Sequence, residues 1–400
     1  MFCGCKAVSL AAFVAALLSA GPAFTQTPSD EATPEAKAAA PVAYVYVTRP
    51  THIDSFTAAS DGKLSAVSGS PIQGSVTGLS VNEQYLFGIN STLTDNQINS
   101  YINAYKIASD GAIALSAQTL LSTSGGSPTG PLRLQTDYSG KTLYVSVDGY
   151  DASNKLSVES FEIESEGRLK DLGNSTPDGY GNGESVPQPT ILGNNKFAYN
   201  AGCNVGIGFV DPFFVTYTRE SDGFMVLSSA SFPMPPAYDG DSTFCSELLV
   251  GDTTDHLVVA GQYFNQNGPI FLATYTADSH GNLTTKSTPK NMATVSSELN
   301  GIYSMSIDPT GKLLAVGALG AGFQLFHWNN GEQVTNYTGV IQKNTGAGGG
   351  EFGWDKSHHL YVLSLNGELH VYTVTPSSME EAPGSPYLIP EASSIIVLSK

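Results

Sequence analysis

Ile102-Asn103-Ala104-Tyr105-Lys106-Ile107-Ala108-Ser109-Asp110-Gly111 decides how this chain of 400 residues is read. Residues 102–105 alternate as a half-buried strand does and end on an aromatic. Ser109-Asp110-Gly111 then supplies a tight turn, in which glycine takes the positive φ and the aspartate hydrogen-bonds within the turn. Both features recur. The turn returns as Ser60-Asp61-Gly62, Ser165-Glu166-Gly167, Ser221-Asp222-Gly223, Ser279-His280-Gly281 and Asn329-Asn330-Gly331. The strand returns at 53–56, 158–161, 214–217, 272–275, 323–326 and 369–372, the last without a glycine turn. Its aromatics stand at 56, 105, 161, 217, 275, 326 and 372, spaced by 46 to 58 residues, which makes seven repeats.

Each repeat has a second apolar run before the first, clearest at 44–47, 143–145, 256–260, 313–316 and 360–363. A further turn precedes that run, as at Asp137-Tyr138-Ser139-Gly140-Lys141 and Asp308-Pro309-Thr310-Gly311-Lys312. Each unit therefore reads as four strands, lettered A to D from the centre outward. Four-stranded units repeated about every 50 residues predict an all-β, seven-bladed propeller, because one blade cannot bury both of its faces by itself. The blade aromatics are expected to pack between blades. The first unit lacks a strand A, and the chain ends on Ser394-Ile395-Ile396-Val397-Leu398. That segment is expected to close the ring as the missing strand, removing an open sheet edge.

Residues 1–25 read as a signal peptide, with Lys6 as the positive region and an apolar run over 7–20 that is short of the roughly 20 residues of a membrane span. Residues 26–41 read as a flexible lead-in and 42–400 as the propeller. The mature chain is expected to be secreted, periplasmic or in the cell envelope, without a membrane span, and monomeric. A net charge of −18 argues against nucleic-acid and anionic-membrane partners. In an oxidising compartment Cys203 and Cys245 are expected to form a disulfide, for which loop entropy suggests about 4 kcal/mol.

These features resemble the lactonase family of seven-bladed propellers, typified by propeller-type 6-phosphogluconolactonase and carboxy-muconate cyclase. The turn and strand Asp308-Pro309-Thr310-Gly311-Lys312-Leu313-Leu314 carry the resemblance, with the blade ends Gly69-Ser70-Pro71 and Gly384-Ser385-Pro386. Tyr46-Val47-Thr48 is similar to the Tyr-Val-Thr-Asn repeat of related surface propellers. The resemblance implies lactone hydrolysis by a Pro-His motif entering one middle blade and a Pro-Arg-His motif entering the next. This chain reads Val186-Pro187-Gln188-Pro189 at the first and Cys245-Ser246-Glu247-Leu248-Leu249 at the second. Gln188 cannot act as a general base.

The connections D-to-A and B-to-C are long in the middle blades and the opposite face carries tight turns, so a site is expected on the long-loop face. Candidate binding residues there are Tyr150, Asp211, Asp239, Tyr263 and Glu351. The mouth is rich in Asp and Glu and poor in Arg and Lys, which suits a neutral saccharide, a cationic group or a divalent metal better than a phosphorylated sugar acid, and the Asn and Tyr of its loops fit sugar or peptide binding. The leading reading is a non-catalytic binding protein for a saccharide, a peptide or a protein. The alternative is a lactone hydrolase with a rearranged site, with Glu184, Gln188, Glu247 and Arg133 as candidate catalytic groups. No metal or cofactor is expected. The acidic turns at 148–154 and 239–241 do not complete an EF-hand loop, and His358 and His359 point to opposite faces of a strand. The glycines of 346–350 lack a following Lys-Ser/Thr, and no Gly-x-Ser-x-Gly elbow occurs.

Overall fold

The protein is described from a computed structural model. It covers residues 40–400, apart from 95–96, 122–132, 149–155, 176–188, 207–208, 238–241, 265–267, 300, 319–320 and 343–348. Residues 1–25, expected to be a signal peptide, and nearly all of 26–41, expected to be a lead-in, lie outside the described residues. Seven antiparallel sheets form a ring, each with strands in the order D-C-B-A and strand A innermost, and in six of them these four strands are consecutive in the chain. The lettering expected from sequence holds in every blade.

Blade 1 closes the ring. Its strand B (Ala43–Thr48) pairs on one side with strand C (His52–Ala58) and on the other with the C-terminal strand Ser394–Ser399. Val45 faces Val397 and Tyr46 faces Ile396 across that ladder. One sheet thus holds both ends of the propeller, and strand B of blade 1 is paired on both sides.

The recurrent glycine turn is explained twice over. Gly111 sits at φ 88°, where an L side chain is strained, and a Cβ there would fall 2.6 Å from the Tyr44 ring of the preceding blade. The turns at Gly62, Gly223 and Gly281 press in the same way on His359, Thr142 and Phe197 of their preceding blades. The repeat read from sequence is therefore also the blade-to-blade contact. Tyrosines of strand B fasten it: the hydroxyls of Tyr46, Tyr144 and Tyr199 donate to the carbonyls of Gly111, Gly223 and Gly281 in the next blade, at 3.2, 2.7 and 2.8 Å. Blade 7, which has no glycine turn, joins strands C and D through a tight hairpin pairing Thr375 with Ser378.

Tyr105, Phe161, Tyr217, Tyr275, Phe326 and Tyr372 are buried, and Phe56 is half-buried against the seam between blades 7 and 1. They fill the clefts between blades, as expected. In the Gly-Ser-Pro blade ends, the hydroxyls of Ser70 and Ser385 accept hydrogen bonds from the strand-C amides of Ser55 and Val371. A side chain thus replaces a ladder carbonyl where strand D breaks.

The disulfide between Cys203 and Cys245 is present. It bridges strands of two neighbouring blades. Cys203 lies in strand B of blade 4 (Phe197–Gly206) and Cys245 in strand A of blade 5 (Phe244–Gly251). Residues 203–206 and 209–212 belong to a long B–C hairpin, with Cys203 opposite Pro212. Cross-strand pairing there satisfies backbone groups that a loop would leave to water.

Candidate functional site

Strand A of each blade begins at one mouth of the central channel. All seven contribute to a cavity of about 590 Å³, through Thr77, Arg133, Thr190, Leu249, Ser304, Glu351 and Ser394 among others. Gln135 and the half-exposed ring of Tyr303 complete much of its polar and aromatic lining. The long connections emerge at this mouth, so it is the face on which the sequence places a site.

Arg133 opens strand A of blade 3 (Arg133–Thr136) and is exposed to the channel. Glu351 lies in strand A of blade 7 (Gly349–Trp354), at a register shift against strand B. The irregularity gives this carboxylate a fixed course toward strand A of blade 1. There it accepts from the Ser394 hydroxyl at 2.6 Å and from the Ile395 amide at 2.9 Å. Burial pushes its pKa above the usual value, and these two hydrogen bonds and the positive charge of Arg133 offset part of that rise. The sequence named Arg133 and Glu351 in separate lists, and the fold puts them in one cavity.

Glu247 does not join them. It stands at the register shift between Ser246 and Leu248 in strand A of blade 5 and is absent from the cavity wall. Burial raises its pKa, and the Ile302 amide donates to it and offsets part of the shift. Tyr263 is buried between the rings of Phe244 and Phe271, with its hydroxyl donating to the Pro236 carbonyl at 2.8 Å. It packs the blade rather than facing the mouth. Tyr150, Glu184, Gln188 and Asp239 lie outside the described residues, and of Asp211 only the backbone is described. Thr77, Tyr303 and Ser394 were not singled out from sequence. Their one signal was position, since each lies at or just before the start of a strand A.

Adjacent blades are knitted beside this cavity by hydroxyls. Thr190 donates to the Leu249 carbonyl at 3.3 Å, Ser246 to that of Gly202 at 3.0 Å and Ser304 to that of Gly350 at 2.5 Å. Among the described residues no group of three or more His, Cys, Asp or Glu side chains comes together as metal ligands would, and no helix is long and apolar enough to cross a membrane. Such a wall can hold a polyhydroxylated or amide-bearing ligand by hydrogen bonds, with one positive and one negative group fixing its orientation.

No family model matches the chain, and no curated protein does. Solved structures do. A Bacteroides fragilis protein provisionally assigned as a 6-phosphogluconolactonase superposes with a TM-score of 0.58 at 12% identity, covering 89% of this chain and 98% of its own. AztD from Citrobacter koseri gives 0.41 at 12% identity over 89% of this chain and 97% of its own. The β-propeller domain of the Trilobed protease of Pyrococcus furiosus gives 0.42 at 11% identity over 86% and 97%. At such identities the likeness to the Bacteroides protein establishes a shared fold: this chain is a seven-bladed β-propeller with a lactonase-like structural neighbour.

Proposed function

We propose that the protein is an exported binding propeller that holds a neutral saccharide at the mouth where the strands A begin. The observation that carries this reading is the fixed Glu351 carboxylate beside Arg133 in a cavity otherwise walled by hydroxyl, amide and apolar groups. A phosphorylated sugar acid would meet one arginine and be opposed by Glu351, whereas sugar hydroxyls can donate to the carboxylate and accept from the guanidinium. Tyr303 offers an aromatic face to a sugar ring. The disulfide is consistent with export, since such bonds persist in oxidising compartments.

Calorimetric titration with a panel of neutral and anionic oligosaccharides tests the reading. A neutral glycan should bind, and Arg133→Ala and Glu351→Gln should each weaken it by about tenfold, the cost of one or two hydrogen bonds to a charged group. Binding restricted to phosphorylated or carboxylated sugars overturns it.

The meeting of Glu351 and Arg133 in one cavity favours one rival, lactone hydrolysis, which needs a general base and an oxyanion-stabilising group side by side. Glu351 would then activate water while Arg133 stabilises the developing oxyanion. Turnover of a lactone panel that Glu351→Gln abolishes decides for the rival. Absence of turnover by the wild-type chain decides against it.

A further inference from the structure

In blade 4, strands B (Phe197–Gly206) and C (Phe209–Arg219) pair along their whole length. Their neighbours cover only the lower part. Strand A (Thr190–Ile191) reaches Tyr199 and Ala198, and strand D (Met225–Ser228) reaches Thr216 to Arg219. Among the described residues, 200–206 and 209–215 therefore form a two-stranded arm with no further ladder in its own sheet. A bare hairpin is marginal in water, and the composition of this one weakens it. Gly202 and Gly206 bring no side chain to pack, and Pro212 has no N–H for a ladder. Asn200 is fully buried, and among the described residues neither atom of its amide has a hydrogen-bond partner.

What holds the arm lies in blade 5. The disulfide ties Cys203, within the first strand of the arm, to Cys245 in strand A of that blade. Beside it the Ser246 hydroxyl donates to the Gly202 carbonyl at 3.0 Å, and the Phe214 ring lies 4.3 Å from that of Phe232. Phe213 and Val215 pack the other way, with Tyr144 and Val158 of blade 3. Below the arm, blade 4 is fixed by other means. It is four-stranded there, Tyr199 donates to the Gly281 carbonyl of blade 5, and Arg219 pairs with Asp137 of blade 3 at 2.9 Å. Cutting the disulfide thus removes a tie that the arm needs and the ring does not.

We infer that Cys203–Cys245 is a redox latch, whose reduction releases residues 200–215 as one local unit while the seven blades stay closed. The reductant is a dithiol. Cys203 is partly exposed and Cys245 buried, so a thiolate of the reductant attacks Cys203 Sγ. A mixed disulfide forms, the Cys203–Cys245 bond breaks, and Cys245 Sγ leaves with the electron pair and takes up a proton. The second thiol of the reductant then displaces Cys203, which also takes up a proton, and the reductant closes its own disulfide. Two electrons pass from the dithiol to the protein. The oxidised chain presents a fixed arm on the long-loop face, and the reduced chain presents a free one with Phe213 and Phe214 uncovered. The latch is independent of what binds at the channel mouth.

Hydrogen exchange read by mass spectrometry, on the oxidised protein and on the protein in dithiothreitol, tests this. On reduction the amides of 200–206 and 209–215 should exchange at least about tenfold faster. Strands B and C of blades 1, 6 and 7 should exchange as before. So should the shorter bare hairpin of blade 2, beyond Ile89 and Tyr101, which contains no cysteine. Alkylation and peptide mass locate the new thiols at Cys203 and Cys245. Cys203→Ser/Cys245→Ser should show the fast arm without reductant and no further response to it, and reoxidation should restore slow exchange in the wild type. The inference is overturned if the arm exchanges unchanged once both thiols are alkylated. Faster exchange in every blade, or a double variant that does not fold, makes the disulfide a support of the whole ring and equally overturns it. So does a folded protein that dithiothreitol leaves unreduced.

Discussion

Glu351 brings a pH dependence that its neighbours make predictable. Its folded-state pKa is raised above the ordinary 4.5, because desolvation outweighs Ser394, Ile395 and Arg133. The folded chain therefore binds this proton more tightly than the unfolded chain does, and stability falls as pH rises from that ordinary value through the folded one. Glu351→Gln keeps an acceptor oxygen for Ser394 and Ile395 but no longer titrates. Melting temperatures across acidic and neutral pH should show a steeper fall in the wild type, with the two curves running parallel below the carboxylate range. Parallel curves throughout would remove Glu351 as the cause.

Asp355 is the buried counterpart in the turn after the same strand. It accepts from the Ser357 and His359 amides, from His359 Nδ1 at 2.8 Å and from the Tyr361 hydroxyl at 2.8 Å. An amide in its place presents N–H groups to donors. Asp355→Asn should cost about 3 kcal/mol in denaturant unfolding and Tyr361→Phe about 1 kcal/mol. Equal losses would mean that the tyrosine bond, not the whole acceptor set, dominates.

At the scale of the element, the glycine turns separate two physical causes. Gly111→Ala adds both left-handed strain and a clash with Tyr44, whereas Gly69 at φ 81° has nothing within 4 Å of where a Cβ would stand. Gly69→Ala should therefore cost about 1 kcal/mol, the backbone part only. Gly111→Ala should cost roughly 2 to 3 kcal/mol, since overpacking is added. Unfolding midpoints of the two variants check this, and equal values would show that the turns do not hold blades together. This contact also explains why the turn was legible in sequence. The same glycine is required twice, by its own backbone and by its neighbour's ring, so it recurs even where the preceding residue changes from Asp110 to Glu166, His280 or Asn330.

Over the whole molecule, stability rests on closing the ring. Six residues of Ser394–Ser399 pair with Ala43–Thr48, and the seam is filled by Val45, Tyr361, Leu369 and Ile395. Deleting residues 395–400 opens this sheet and exposes that seam. Calorimetry should show one cooperative transition shifted several degrees lower, as expected for loss of a buried strand. An unchanged melting temperature would show that the other six interfaces suffice.

The sequence by itself determined the number of blades, the placement of strands B and C, the closing strand and the cysteine pair. These rest on local rules: alternation, turn glycines, and a pair of cysteines within the propeller repeats. It could not determine which side chains meet. Arg133 and Glu351 lie in blades 3 and 7 and come together only because every strand A starts at one mouth. Glu247, named with Arg133 on sequence grounds, lies at a strand irregularity whose direction depends on pairing. Tyr263 reads as a polar loop residue, yet strand B extends to include it and turns it into the aromatic packing of its blade. Spacing along a chain records periodicity, whereas a site at the axis of a propeller is a sum over all its blades.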